Sequence, residues 1–204
     1  MNFHPEKCKV LRITKQNDPI LFDYSMHNHV LESVESEEYL GVTIQNDLKW
    51  NKHIHNVVSK SYKSLGLIRR HLWQASNKTK QLAYFTLVCP RLEYASSVWD
   101  PVNVDYLIRE LEMVQRRAAR FIFNDWRRTS KVTPMLEELK WQSLETRRLH
   151  RRLIMMYKIS EKLVEINEEY LTKLNTNTRS AVPGTYVRFS SSKDAMHYSF
   201  SPRQ

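Results

Sequence analysis

At Asn51 the spacing of the apolar residues changes, and with it the kind of structure this chain can form. Upstream, residues 7–14 (Lys-Cys-Lys-Val-Leu-Arg-Ile-Thr) alternate well enough for a half-buried strand, and residues 20–34 and 38–44 read as further strands. Asn17-Asp18-Pro19 is a turn between the first two. Downstream the period is helical: Ile54, Val57, Val58, Leu65, Ile68 and Leu72 share one face, with Ser61 among them. The expected class is therefore α+β, a small N-terminal antiparallel sheet followed by a mostly helical bundle. Three regions are expected: 1–50 with the strands, 51–160 with the helices, and 161–204, where periodicity fades into a loosely ordered tail rich in Ser, Thr and Asn from residue 175.

Within the helical region, Ser76 is the expected N-cap of a second helix that is apolar nearly all round from Leu82 to Val88 and so expected to be buried. Pro90 should kink or end it. A third helix over 103–124 places Val104, Leu107, Leu111, Val114, Ala118 and Ile122 inward. A fourth over 143–160 is expected to bury Leu149, Leu153, Met156 and Tyr157. At 100° per residue each of the three long helices backs its apolar stripe with a column of cations: Lys52, Lys63 and Arg70; Arg109, Arg116 and Arg120; Arg147, Arg151 and Lys158.

Charge sharpens the contrast between the regions. Residues 1–50 carry 5 Lys and Arg against 8 Asp and Glu, residues 51–160 carry 21 against 9, and residues 161–204 carry 6 against 5, for a net charge of +10. A cationic middle suits a polyanion, because each phosphate neutralised releases counterions. A solvated helix face explains any one column equally well; three columns without matching acids on the same faces favour binding. The five Trp, at 50, 73, 99, 126 and 141, sit near expected helix ends, where anchoring in the core is the expected role for most and base stacking the alternative.

Asn2, Pro5-Glu6-Lys7-Cys8 and Tyr39-Leu40-Gly41-Val42, followed by Leu92-Glu93-Tyr94-Ala95-Ser96-Ser97-Val98-Trp99-Asp100-Pro101 and Val114-Gln115-Arg116-Arg117-Ala118-Ala119-Arg120-Phe121, form four blocks in a telling order. They resemble the end of the palm, the thumb and the following helical region of non-LTR (LINE-type, jockey-like) retrotransposon reverse transcriptases. The likeness runs from Met1 to about Lys158, with a trace at Ser199-Phe200-Ser201-Pro202-Arg203. It implies that Tyr39, Leu40 and Gly41 match a primer-grip hairpin, and that Lys7 is a cation able to protonate or neutralise departing pyrophosphate in an intact enzyme. It also implies an RNA template and DNA primer duplex as partner, and two Mg2+ ions held by aspartates of a block preceding Asn2, with no cofactor in this chain. The alternatives stay simple: Lys7 as an exposed strand residue, Tyr39 and Leu40 as packing residues, Gly41 as a tight bend.

Other chemistry fails on spacing. No Tyr/Phe-x-Asp-Asp run and no HExxH occurs, and with three Gly there is no Gly-rich phosphate loop. His53 and His55, two apart on a helix, point away from each other; His27 and His29 could share a strand face but lack nearby Cys. Glu35, Glu37 and Glu38 read as a solvated turn, and Cys8 and Cys89 as reduced, packed thiols. No run approaches the roughly 18 apolar residues of a bilayer span, and no signal pattern opens the chain. An intracellular protein, nuclear or cytoplasmic and not secreted, is expected, with no membrane or small-molecule partner. An open sheet edge would invite self-association. Outside the enzyme class, a stand-alone basic helical nucleic-acid-binding module and a helical protein-interaction scaffold are the alternatives.

Overall fold

The computed structural model describes residues 4–14 and 21–166. The expected turn at 17–19, the tail from 175 and the block at 199–203 lie outside the described residues. The chain is α+β, in two compact units, Met1–Asn56 and Val57–Gln204.

In the first unit a 3-10 turn at Pro5–Lys7 precedes β1 (Lys9–Leu11), β2 (Ser25–Met26), β3 (His29–Val30), β4 (Glu32–Val34), β5 (Ser36–Tyr39) and β6 (Val42–Gln45). These form three two-stranded ladders, and β1 runs parallel to β4, which corrects the expectation of one antiparallel sheet. The strand expected over 7–14 is only three residues long because Pro5 starts a 3-10 turn that takes in Lys7. The strand expected over 20–34 is cut by a turn at His27 and Asn28, both at positive φ, so His27 shares no strand face with His29. Likewise 38–44 is a hairpin: Leu40 (φ 49°) and Gly41 (φ 79°) form a two-residue turn between β5 and β6. Positive φ at both central residues matches the right-handed twist of the flanking strands. Glu37 lies on β5, with Lys9 3.1 Å away, rather than in a solvated turn.

The helices are α1 (Asn51–His71), α2 (Asn77–Leu87), α3 (Cys89–Glu93), α4 (Ser96–Trp99), α5 (Asp105–Phe123), α6 (Val132–Glu138) and α7 (Leu144–Ser160). The α1 face behaves as its spacing requires: Ile54, Val57, Val58, Ser61, Leu65 and Ile68 are buried and Leu72 half-buried. Ser76 caps α2, its hydroxyl accepting the Thr79 N–H, and Ser143 caps α7 the same way through Thr146. Pro90 sits in the first turn of α3, where its missing N–H has no helical partner to lose, so α2 ends before it. In the second unit α2 packs on α3 and α5, α5 on α6 and α7, and α4 on α7. Leu107, Leu111, Val114, Ala118 and Ile122 of α5 are buried as expected. Ala119 with Val132 and Met135 makes a small cluster that joins α5 to α6.

Two expectations fail in this unit. Leu82 and Leu87 of α2 are exposed, since the helix meets its neighbours chiefly through Lys80, Tyr84 and, just after its end, Val88. On α7 the expected core residues Leu149, Leu153 and Tyr157 are exposed and Met156 half-buried, while Leu144 and Arg148 are buried. Of the arginines on this helix Arg148 is turned fully inward, Arg147 and Arg152 are half-buried, and Arg151 is exposed.

Candidate nucleic-acid interface

The β5–β6 hairpin is held from its base. Thr43 N–H donates to buried His53 Nδ1 at 3.1 Å, so this histidine supports the strand by accepting a hydrogen bond. Asn56 Nδ2 reaches Thr43 Oγ1, and Gln45 Oε1 accepts the Lys52 N–H at 3.0 Å, satisfying one of the donors left open at the start of α1. From this base the tip projects: Tyr39, Leu40 and Gly41 are all exposed, so Tyr39 and Leu40 are not core residues. A leucine in the left-handed region costs on the order of 1–2 kcal/mol, a strain carried at the tip. Lys7 is exposed at the end of its 3-10 turn.

The nine candidate cations fall into distinct groups. Arg147 and Arg151 both bond to Glu93, a carboxylate 5% exposed on α3; Arg147 is half-buried, which corrects the outward position expected for it, while Arg151 stays exposed as expected. Beside them Arg148 Nε donates to Asp100 Oδ1 at 2.7 Å, and Arg152 Nε lies 3.1 Å from Oδ2. Arg120 holds the loop after α5, donating to the carbonyls of Asp125, Arg127 and Ser130 at 2.9–3.2 Å. Lys52 donates to Ser36 Oγ, and Arg109 Nε to the Asp105 carbonyl one turn back. Lys63, Arg70 and Lys158 are exposed and Arg116 half-buried, and the side chain of none of them makes a hydrogen bond or ion pair with another described residue.

Burial around the paired group shifts the local titrations. Burial pushes the Cys89 thiol up to about 11, with Glu93 adding to the effect, and raises Tyr84 well above the ordinary phenol value. Desolvation also raises Glu112, whose Oε1 accepts the Glu145 N–H at the start of α7. Cys89 is an inert buried thiol in this setting.

Sequence reasoning missed the aromatic partners of the remaining cations. Arg117 lies 4.6 Å from the Tyr62 ring centroid and Arg69 5.5 Å from that of Trp126. Of the five Trp, Trp99 is fully buried with Nε1–H on the Tyr94 carbonyl, and Trp141 stacks on Tyr84 at 4.5 Å. Trp50 is half-buried with its ring edge-on to His53, whereas Trp73 and Trp126 are exposed.

No group of three or more His, Cys, Asp or Glu that could hold a metal gathers among the described residues. No chemical step is assigned to Lys7. No described helix is long and apolar enough to cross a membrane. No family model, curated protein or solved structure matches this chain.

Proposed function

We propose that this chain is the part of a LINE-type retrotransposon reverse transcriptase that grips the primer–template duplex, with the catalytic aspartates and their Mg2+ ions outside it. The observation that supports the reading most is on α1. Lys63 and Arg70 lie two turns apart, about 10.5 Å along the axis, exposed and without an acidic partner. A helix face of this kind meets phosphates through charge and without reading sequence. The exposed Tyr39–Leu40–Gly41 tip is the proposed primer-grip element. An intracellular site of action, nuclear or cytoplasmic, belongs to the same proposal, as does any self-association through a strand edge.

The test is the binding of a labelled RNA–DNA hybrid over a series of salt concentrations. If Lys63 and Arg70 each neutralise one phosphate, replacing both by Gln lowers the salt slope of log K by roughly 1.8. An unchanged affinity and slope would return α1 to a solvated face. On this reading the chain alone does not extend a primer; incorporation on an RNA template with Mg2+ supplied would overturn it.

One feature favours a second reading, a helical protein-interaction scaffold: the exposed Leu149, Leu153, Ile154 and Tyr157 of α7. Specific capture of a defined protein partner, lost on replacing Leu153 and Tyr157 by Ser, would support it over the first.

A further inference from the structure

Between α5 and α6 the chain runs Asn124-Asp125-Trp126-Arg127-Arg128-Thr129-Ser130-Lys131, and this loop is built to hold its shape without Trp126. Asn124 takes the left-handed conformation that ends α5, and the Asp125 N–H returns to the Arg120 carbonyl at 3.1 Å. Arg120 then ties three loop carbonyls together from below. Asp125 Oδ1 accepts both the backbone N–H and Nε of Arg127 at 3.1 Å, and its Oδ2 accepts the Ser130 hydroxyl at 2.7 Å. These bonds to Arg127 and Ser130 hold the carboxyl well below the usual carboxylate range, so it stays ionised.

On this frame Trp126 is displayed instead of buried. It is 47% exposed, and Arg69 of α1 lies over its ring. Nearly half of the residue stays open to solvent even so. Phe123, Asn124, Asp125, Trp126 and Arg127 line a shallow, wide-open hollow beside the ring. Arg128 and Lys131 are exposed along the same loop. Among the described residues no cation lies over the ring of Trp73, the other exposed tryptophan, and Trp73 does not line this hollow.

We infer that this loop is a stacking site for an unpaired nucleobase, with Trp126 as the platform and the exposed cations drawing in the adjoining phosphates. Every base has a π face, so stacking on an aromatic ring beside a cation holds single strands with little regard to sequence. The inference rests on the nucleic-acid reading above and adds to it a preference for bases that a duplex would hide, such as those of a template overhang.

The discriminating probe is a labelled single-stranded oligonucleotide and its counterpart with abasic sites, which keeps the phosphates and removes the bases. The full chain should bind the base-bearing strand more tightly. Trp126→Ala should remove that preference, weakening the base-bearing strand by roughly fivefold or more and leaving the abasic strand unchanged. Trp126→Phe, which keeps an aromatic face, should retain part of the preference. Equal binding of the two strands by the unaltered chain, or a preference that survives Trp126→Ala, would overturn the stacking site while leaving phosphate binding standing. Binding of neither strand would overturn both. A Trp126→Ala chain that does not fold would also overturn it, since it would make Trp126 a structural residue of the loop.

Discussion

Helices α5 and α7 are both amphipathic, both rich in arginine and in contact with each other, yet they solve opposite problems. On α5 the apolar stripe Leu107, Leu111, Val114, Ala118 and Ile122 is buried, and Arg109 and Arg117 stay at the surface. On α7 Arg148 is fully buried while Leu149, Leu153, Ile154 and Tyr157 face outward. The cause lies in the partners. Helix α3 and the end of α4 bring Glu93 and Asp100 into the interior, and a buried carboxylate without a cation costs more than an exposed leucine gives up. Apolar periodicity reports how a helix faces water; it reports how a helix faces its neighbours only when those neighbours are apolar too.

The largest test of the contrast is Asp100→Ala, which strands the Arg148 guanidinium in the interior. Removing one partner of a buried pair costs about 3–5 kcal/mol, and urea unfolding should register a loss of that order; a change below about 0.5 kcal/mol would mean that α7 does not hold this face inward in solution. Next comes a matched pair of leucines. Leu111→Ala on α5 should cost about 2–5 kcal/mol, whereas Leu153→Ala, at a position 52% exposed, should stay within about 0.5 kcal/mol. Equal losses would break the comparison outright.

A smaller effect is expected at Arg120, the one arginine of its expected column bound to three carbonyls. Replacing it by Ala should cost roughly 1.5–3 kcal/mol, the range for hydrogen bonds to a charged group. It should also leave the Lys63/Arg70 salt slope untouched, which a binding measurement in parallel would check.

The last effect is absent at neutral pH and emerges in alkali. Burial raises the Cys89 thiol from 9.0 to about 11 in the folded chain. Below pH 9 the thiol is protonated folded or unfolded, and its contribution is fully present. Between about 9 and 11 the unfolded chain loses the proton first, so stability falls as pH rises. Tyr84, also raised by burial, acts in the same direction at higher pH. Cys89→Ala should flatten the first part of that fall in unfolding measurements from pH 8 to 11; an unchanged curve would place the thiol in water.

Much of the local structure was legible. Ser76 stands where a cap was expected, and its hydroxyl accepts the Thr79 N–H; the same cap at Ser143 emerged only in the structure. The stripes of α1 and α5 were readable because their burial follows a single period. The Leu40–Gly41 turn was harder to see, since a leucine at positive φ defies local preference and the run through Val42-Thr43-Ile44 looks like continuous strand. For the candidate site, the cations were visible as columns but their fates were not. Trp126 could not be told from Trp99 or Trp141 in the sequence, for all three stand near helix ends.

By itself, then, the sequence determined the α+β class, the switch from strand to helix at Asn51, the cap at Ser76 and the excess of positive charge, all of which depend on residues a few positions apart. Only tertiary structure decided which arginines remain available to a polyanion. Glu93 and Asp100 lie 48 to 58 residues from the arginines that neutralise them. Whether a guanidinium meets a carboxylate or water depends on which helices fold against each other, and one-dimensional spacing carries no term for a charge that arrives from so far along the chain.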